Sequence, residues 1–101
     1  MKTITLKTVT MQAGDQVGEL NYKTQIASIL STPSNPQAGA DYAEVRKSIR
    51  LLDILEKANG TLVIEDADHQ YLAARVKGAR YLIINREVLD FIEDVTTPKR
   101  G

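Results

Sequence analysis

The decapeptide "STPSNPQAGA", residues 31–40, limits what this chain can fold into more than any other stretch. It holds two prolines, one glycine, two serines and one asparagine, and no large apolar side chain. Proline removes a backbone donor and fixes φ, so no regular element runs through such a segment. It also buries too little apolar surface to offset its ordering entropy. The reading is an exposed, flexible linker. It divides the chain into an N-terminal arm at 1–30, a helical body at 41–96 and a tail at 97–101. With 101 residues in total, there is enough chain for one core and too little for two.

Residues 41–58, "DYAEVRKSIRLLDILEKA", carry the strongest helical signal. Asp41 and Glu44 stand three apart, as in a capping box. Tyr42, Val45, Ile49, Leu52 and Leu55 recur at spacings of three and four, which predicts one inward-facing apolar stripe. Leu51 and Ile54 widen it, so the helix is expected to pack on two neighbours. Asn59-Gly60 supplies the left-handed residue that ends a helix.

Three further elements follow. "TLVIED" is short and β-branched and predicts a strand near 61–65. A second helix is predicted at about 67–77, with Leu72, Val76 and Ala79 on one face and Tyr71 and Arg75 bordering it. A third is predicted at about 86–95, capped by Asn85, with Val88, Leu89, Phe91, Ile92 and Val95 inward. Between them, "RYLII" is compatible with either a buried strand or a continuing helix.

The arm begins with a period-two pattern near 2–9, "KTITLKTV", read as a strand. "QAGDQVGE" reads as a turn or mobile loop. In "LNYKTQIASIL", Tyr22, Ile26, Ile29 and Leu30 fit a helix of about nine residues capped by Asn21, too short to be stable alone. The expected fold class is therefore α+β: a small, mainly helical single domain with three main helices and short strands near 2–9 and 61–65.

Charge and composition narrow the function. The 13 basic and 13 acidic residues cancel, which removes the usual electrostatic footprint of a nucleic-acid binder. Cysteine is absent, so no disulfide, thiolate nucleophile or CxxC zinc site exists. The N-terminal stretch does not read as a signal peptide, and no apolar run reaches the length of a membrane span. The expected location is the cytoplasm, with no membrane association. No phosphate-binding or serine-hydrolase motif occurs, and no cofactor is implied.

One stretch invites a chemical reading. "EDADHQYL", residues 65–72, sets Glu65, Asp66 and Asp68 beside the only histidine, His69. A helix N-terminus exposes unpaired N–H groups and partial positive charge, and Asp is among the best caps. The favoured reading makes Asp66 the N-cap and His69 an ordinary exposed helical residue. The alternative is a metal-dependent enzyme using Asp66, Asp68 and His69. Zinc needs more His or Cys ligands than the chain owns, and the calcium-loop spacing is absent; a sparsely ligated magnesium site stays compatible. "VRKSIR" supplies a small basic stripe, Arg46, Lys47 and Arg50, with acids on the same helix to offset it.

The run from Tyr42 to Val95 carries "ANG", "EDADHQYL" and "LDFIEDV". In these it resembles small proteins encoded in phage and prophage genomes, which share a helix ending near A-x-G, an EDAD-x-x-YL segment and a terminal hydrophobic-x-FI-x-D-V. The resemblance implies a viral or prophage origin, virion association as one location, and a role in assembly or in modulating a host or viral protein. It transfers no catalytic residue. The expected function is accordingly a non-enzymatic protein–protein interaction module, with a small nucleic-acid-binding transcriptional regulator as the alternative. The arm offers the candidate partner-binding residues Tyr22, Ile26, Ile29 and Leu30, for a protein partner or for self-association as a homo-oligomer. The competing expectation is that the arm packs on its own body.

Overall fold

The N-terminal segment does not hang off the body. In a computed structural model that describes residues 1–13, 15–81 and 84–98, strand β1 (Lys2–Thr5) pairs antiparallel with β4 (Thr61–Ile64), with Ile4 opposite Leu62 and Lys2 opposite Ile64. Period-two chemistry then does the sorting. Ile4, Leu62 and Ile64 point into the core, while Thr5, Thr61 and Val63 face out. β2 (Thr8–Ala13) and β3 (Gln16–Asn21) form a second antiparallel pair, with Thr8 opposite Asn21 and Ala13 opposite Gln16. Residues 12–13 and 16–19, expected in a loop, are therefore paired strand. Val9 and Met11 in β2, and Leu20 in β3, have a core to lie against, which outweighs the poor strand propensity of the polar residues between them.

Helix α1 (Tyr22–Leu30) starts where β3 ends. Asn21 Oδ1 accepts from Thr24 N at 3.1 Å, the expected cap. Its nine residues gain stability from burial rather than length. Tyr22, Ile26, Ile29 and Leu30 all lie in the protein's own core, Tyr22 and Ile26 with no exposed surface. The competing expectation, an arm folded onto its own body, describes this arrangement. These four side chains are consumed by the core and offer no surface to a partner in this fold. The Cα radius of gyration, 13.6 Å, matches the roughly 13 Å of a packed hundred-residue domain.

Residues 31–40 form an exposed connection, pinned locally by Asn35 Oδ1, which accepts from Gln37 N at 3.1 Å and Ala38 N at 3.3 Å. Helix α2 (Tyr42–Lys57) follows. Asp41 caps it, accepting from Glu44 N at 2.8 Å. The reciprocal half of the capping box is not made, because the Glu44 carboxylate turns to Ser34 Oγ instead. Gly60 ends the connection with φ of +81°, the left-handed region that favours glycine.

Helix α3 (Asp66–Gly78) and helix α4 (Arg86–Thr96) close the core. Asn85 caps α4, accepting from Val88 N at 2.9 Å. Phe91 sits at the centre, edge-on to Tyr22 at 5.0 Å between ring centroids and near Tyr81 at 6.5 Å. Such pairs contribute about 0.5–1.5 kcal/mol beyond area burial. The fold is thus α+β, as expected, with four helices and two small antiparallel sheets among the described residues. Leu82 and Ile83, on which the strand-or-helix question of "RYLII" turns, lie outside the described residues, as does the end of the tail. No helix of the described residues is long and apolar enough to cross a membrane.

The expected inner stripe of α2 is corrected. Its buried residues are Ser48, Leu51 and Leu55, while Tyr42, Val45 and Ile49 are 76%, 47% and 50% exposed. The reason is a serine. A polar side chain at position 48 argues for the outer face, yet Ser48 Oγ lies 2.7 Å from Tyr71 Oη and accepts from Arg75 at 3.4 Å. Once its hydroxyl is satisfied, burial costs little, and the helix turns that face inward. Leu89 on α4 is likewise about half exposed rather than inward.

Candidate functional site

The acidic cluster disperses in three dimensions. β4 ends at Ile64, so the chain has one residue, Glu65, in which to turn into α3. Glu65 occupies the cap position without a side-chain cap bond, and Asp66 is already the first helical residue. Asp66 faces the terminal amine of Met1 at 3.4 Å, and Asp68 faces Arg50 Nε at 3.4 Å. Both acids still favour the positive end of the helix. His69, expected at the surface, is 7% exposed. Its Nε2 lies 2.8 Å from Val95 O. A carbonyl oxygen only accepts, so Nε2 carries the proton and is spent as ligand or base. Among the described residues no three His, Cys, Asp or Glu side chains are grouped to hold a metal ion.

His69 belongs to a wider pattern, invisible in the local sequence. The last carbonyls of a helix lack intrahelical partners. Neither α1 nor α4 has a basic residue in its own last turn. Helix α3 supplies both deficits. Arg75 Nη2 donates to Ile29 O at 2.8 Å and to Thr32 O, at the end of α1, and His69 donates to the last turn of α4. From α1, Lys23 Nζ donates to Glu56 O at 3.2 Å and Ala58 O at 3.0 Å, closing α2. Tyr81 Oη donates to Val76 O at 2.9 Å, near the end of α3. Burial pushes the Tyr81 hydroxyl up to about 12. The chemically versatile side chains are thus committed to helix ends.

Arg75 is the centre of this framework. It is 8% exposed, and Nη1 donates to Tyr71 Oη at 3.1 Å and Ser48 Oγ at 3.4 Å. Glu44 Oε1 stands 4.0 Å away, too far for a hydrogen bond but close enough to neutralise the charge. A cavity of about 260 Å³ opens beside it, between the end of α1, residues 32–36 and residues 78–80. No carboxylate or imidazole is among the described residues lining it, and both terminal nitrogens of Arg75 already serve protein acceptors. At the other side of the core, Tyr22 Oη donates to Asp94 at 2.7 Å, with Lys7 3.4 Å from the same carboxylate. Burial, and then the Asp94 bond and charge, push the Tyr22 hydroxyl far up.

Among the described residues, the outer face of α2 carries three of the exposed large apolar side chains; the others, Met1, Val17, Val63, Ile84 and Leu89, lie elsewhere. Tyr42, Val45 and Ile49 stand at spacings of three and four, so they form one continuous stripe rather than scattered residues. Leu52, half-buried, joins the stripe to the core. The basic residues beside it have local partners. Arg46 donates to Tyr42 Oη at 3.3 Å, Lys47 lies over the Tyr71 ring at 5.6 Å, and Arg50 faces Asp68. The sequence holds the signal for this stripe, since its residues are those of the predicted apolar pattern; the pattern splits, with Leu55 buried as expected and Tyr42, Val45 and Ile49 turned outward.

No family model matches the chain, and neither a curated protein nor a solved structure is significantly similar to it.

Proposed function

We propose that this protein is a non-enzymatic protein–protein interaction module that works through the outer face of α2. The observation that carries the reading is the stripe Tyr42–Val45–Ile49, about half or more exposed on a well-capped helix. Single exposed apolar residues are ordinary on any surface, but a continuous apolar face rimmed by charge is characteristic of binding surfaces. Burial of apolar area contributes about 25 cal/mol per Å², so covering this face is favourable for whichever chain complements it. The histidine, the buried arginine, Asp66 and Asp68 have structural tasks, which supports surface matching as the mode of action. The resemblance of residues 42–95 to phage-encoded proteins adds the context: accessory to assembly, or modulation of a viral or host protein.

A photo-crosslinking residue placed at Val45 tests this in the cell that makes the protein. Discrete crosslinked products are expected from position 45 and not from the exposed Glu93 on α4. Background labelling alone from position 45 would defeat the proposal.

A further inference from the structure

We propose that the partner of this face is a second copy of the same chain, joined antiparallel through α2 with Arg46 of each copy beside Asp53 of the other. This rests on the reading of the α2 face as the interaction surface. Tyr42, Val45, Ile49 and Leu52 follow one another at three, four and three residues, the a and d spacing of a two-helix seam. Such a seam is complete only when a second helix lies along it. Within the chain, α2 packs on α1 and α3 through its other side.

The charges beside the seam decide the orientation. Arg46 and Asp53 are one heptad apart and so lie on the same flank. Both are exposed. Arg46 has a neutral partner in Tyr42 Oη, and among the described residues Asp53 is in no ion pair. The other two cations of the helix are drawn away towards α3, Lys47 by the Tyr71 ring and Arg50 by Asp68. A parallel, in-register pair sets Arg46 level with Arg46 and Asp53 level with Asp53. A two-fold axis across the helix between them instead sets unlike charges together twice, with Ile49 of one copy over Leu52 of the other and Val45 against the aliphatic stem of the exposed Glu56. The contact is isologous, so it closes at two copies. Net charge is zero, so no long-range repulsion opposes it. In this register the apolar overlap runs from Val45 to Leu52, about two helical turns, which makes a reversible dimer rather than an obligate one.

Sedimentation equilibrium of the full chain over about a hundredfold range of concentration tests the proposal. The wild type is expected to shift reversibly from monomer to dimer. Ile49→Glu, at a half-exposed position, is expected to stay monomeric with its melting temperature unchanged, and Val45→Glu, which meets Glu56 of the second copy, gives a second reading of the same kind. Arg46→Asp and Asp53→Arg are each expected to weaken the dimer by about tenfold, and together to restore it. A wild type that stays monomeric throughout overturns self-pairing, and crosslinks from position 45 to a different protein would then still uphold the α2 face. A dimer indifferent to both Ile49→Glu and Val45→Glu overturns the α2 face itself. Two weakened single variants with no recovery in the double overturn the antiparallel arrangement.

Discussion

Replacing Arg75 with Met should destabilise this domain more than any other single change of a polar side chain. The substitution keeps much of the aliphatic stem, so packing is largely conserved. It removes the Arg75 donors from Thr32 O and from Ile29 O, which keeps a longer bond from Thr32 N at 3.3 Å, and leaves Glu44, 15% exposed, without its cation. Ser48 and Tyr71 keep each other at 2.7 Å and lose less. A stranded buried acceptor costs about 1–3 kcal/mol, and breaking a buried ionic arrangement from one side costs about 3–5 kcal/mol. Thr32 O lies near the surface, where water replaces part of the loss, so a total of about 3–5 kcal/mol is expected. Against a stability of about 5–15 kcal/mol this is a large fraction. At about 4–8 °C per kcal/mol for a domain of this size, the melting temperature should fall by about 12–40 °C. Circular dichroism melts and urea titrations of wild type, Arg75→Met and Arg75→Lys would measure it. The lysine keeps the charge but cannot span acceptors on three elements, so it should recover less than half of the loss. An Arg75→Met protein that melts within about 3 °C of the wild type would refute the assignment of Arg75 as the structural centre.

Two further predictions follow from the same framework. His69→Leu should cost about 1–3 kcal/mol in urea unfolding, because Val95 O is stranded; an exposed helical histidine would change stability by no more than about 0.5 kcal/mol, and that smaller result would contradict the buried contact. For Tyr81, the folded hydroxyl ionises at about 12 against an ordinary value of 10.0. The folded state therefore holds this proton more tightly than the unfolded chain, so the contribution is complete below pH 10 and disappears as the pH rises from there through about 12. Tyrosinate absorbance and circular dichroism, followed together, should show Tyr81 ionising late and alongside loss of structure. Ionisation of Tyr81 at its ordinary value, with the fold intact, would disprove this.

Most self-contained local signals in the chain hold, with the exception of Asp66, which is the first residue of α3 rather than its cap. Asn21, Asp41 and Asn85 each cap the helix that follows, and Gly60 takes the left-handed conformation expected after α2. These features depend on residues within about one turn, which is the range over which spacing and propensity act. The failures share a cause. The hairpin at 8–21 was hidden because its polar residues carry no strand signal of their own and are held by pairing and by the core beneath them. The face of α2 is turned so that Ser48 joins Leu51 and Leu55 inside while Tyr42, Val45 and Ile49 lie outside, because a buried hydroxyl is decided by partners 23 and 27 residues away.

The sequence by itself determined where helices begin and end, that one core had to be built mostly from aliphatic side chains, and that no thiol chemistry is available. Only tertiary structure decided which side of α2 faces inward, that the segment before residue 31 belongs to the core, and that His69, Arg75 and Lys23 close the ends of helices they are not part of. The physical reason is range. Capping and periodicity act between neighbours along the chain, whereas an unpaired helix carbonyl takes whichever donor the packing delivers, across 26 residues for His69 and 46 for Arg75.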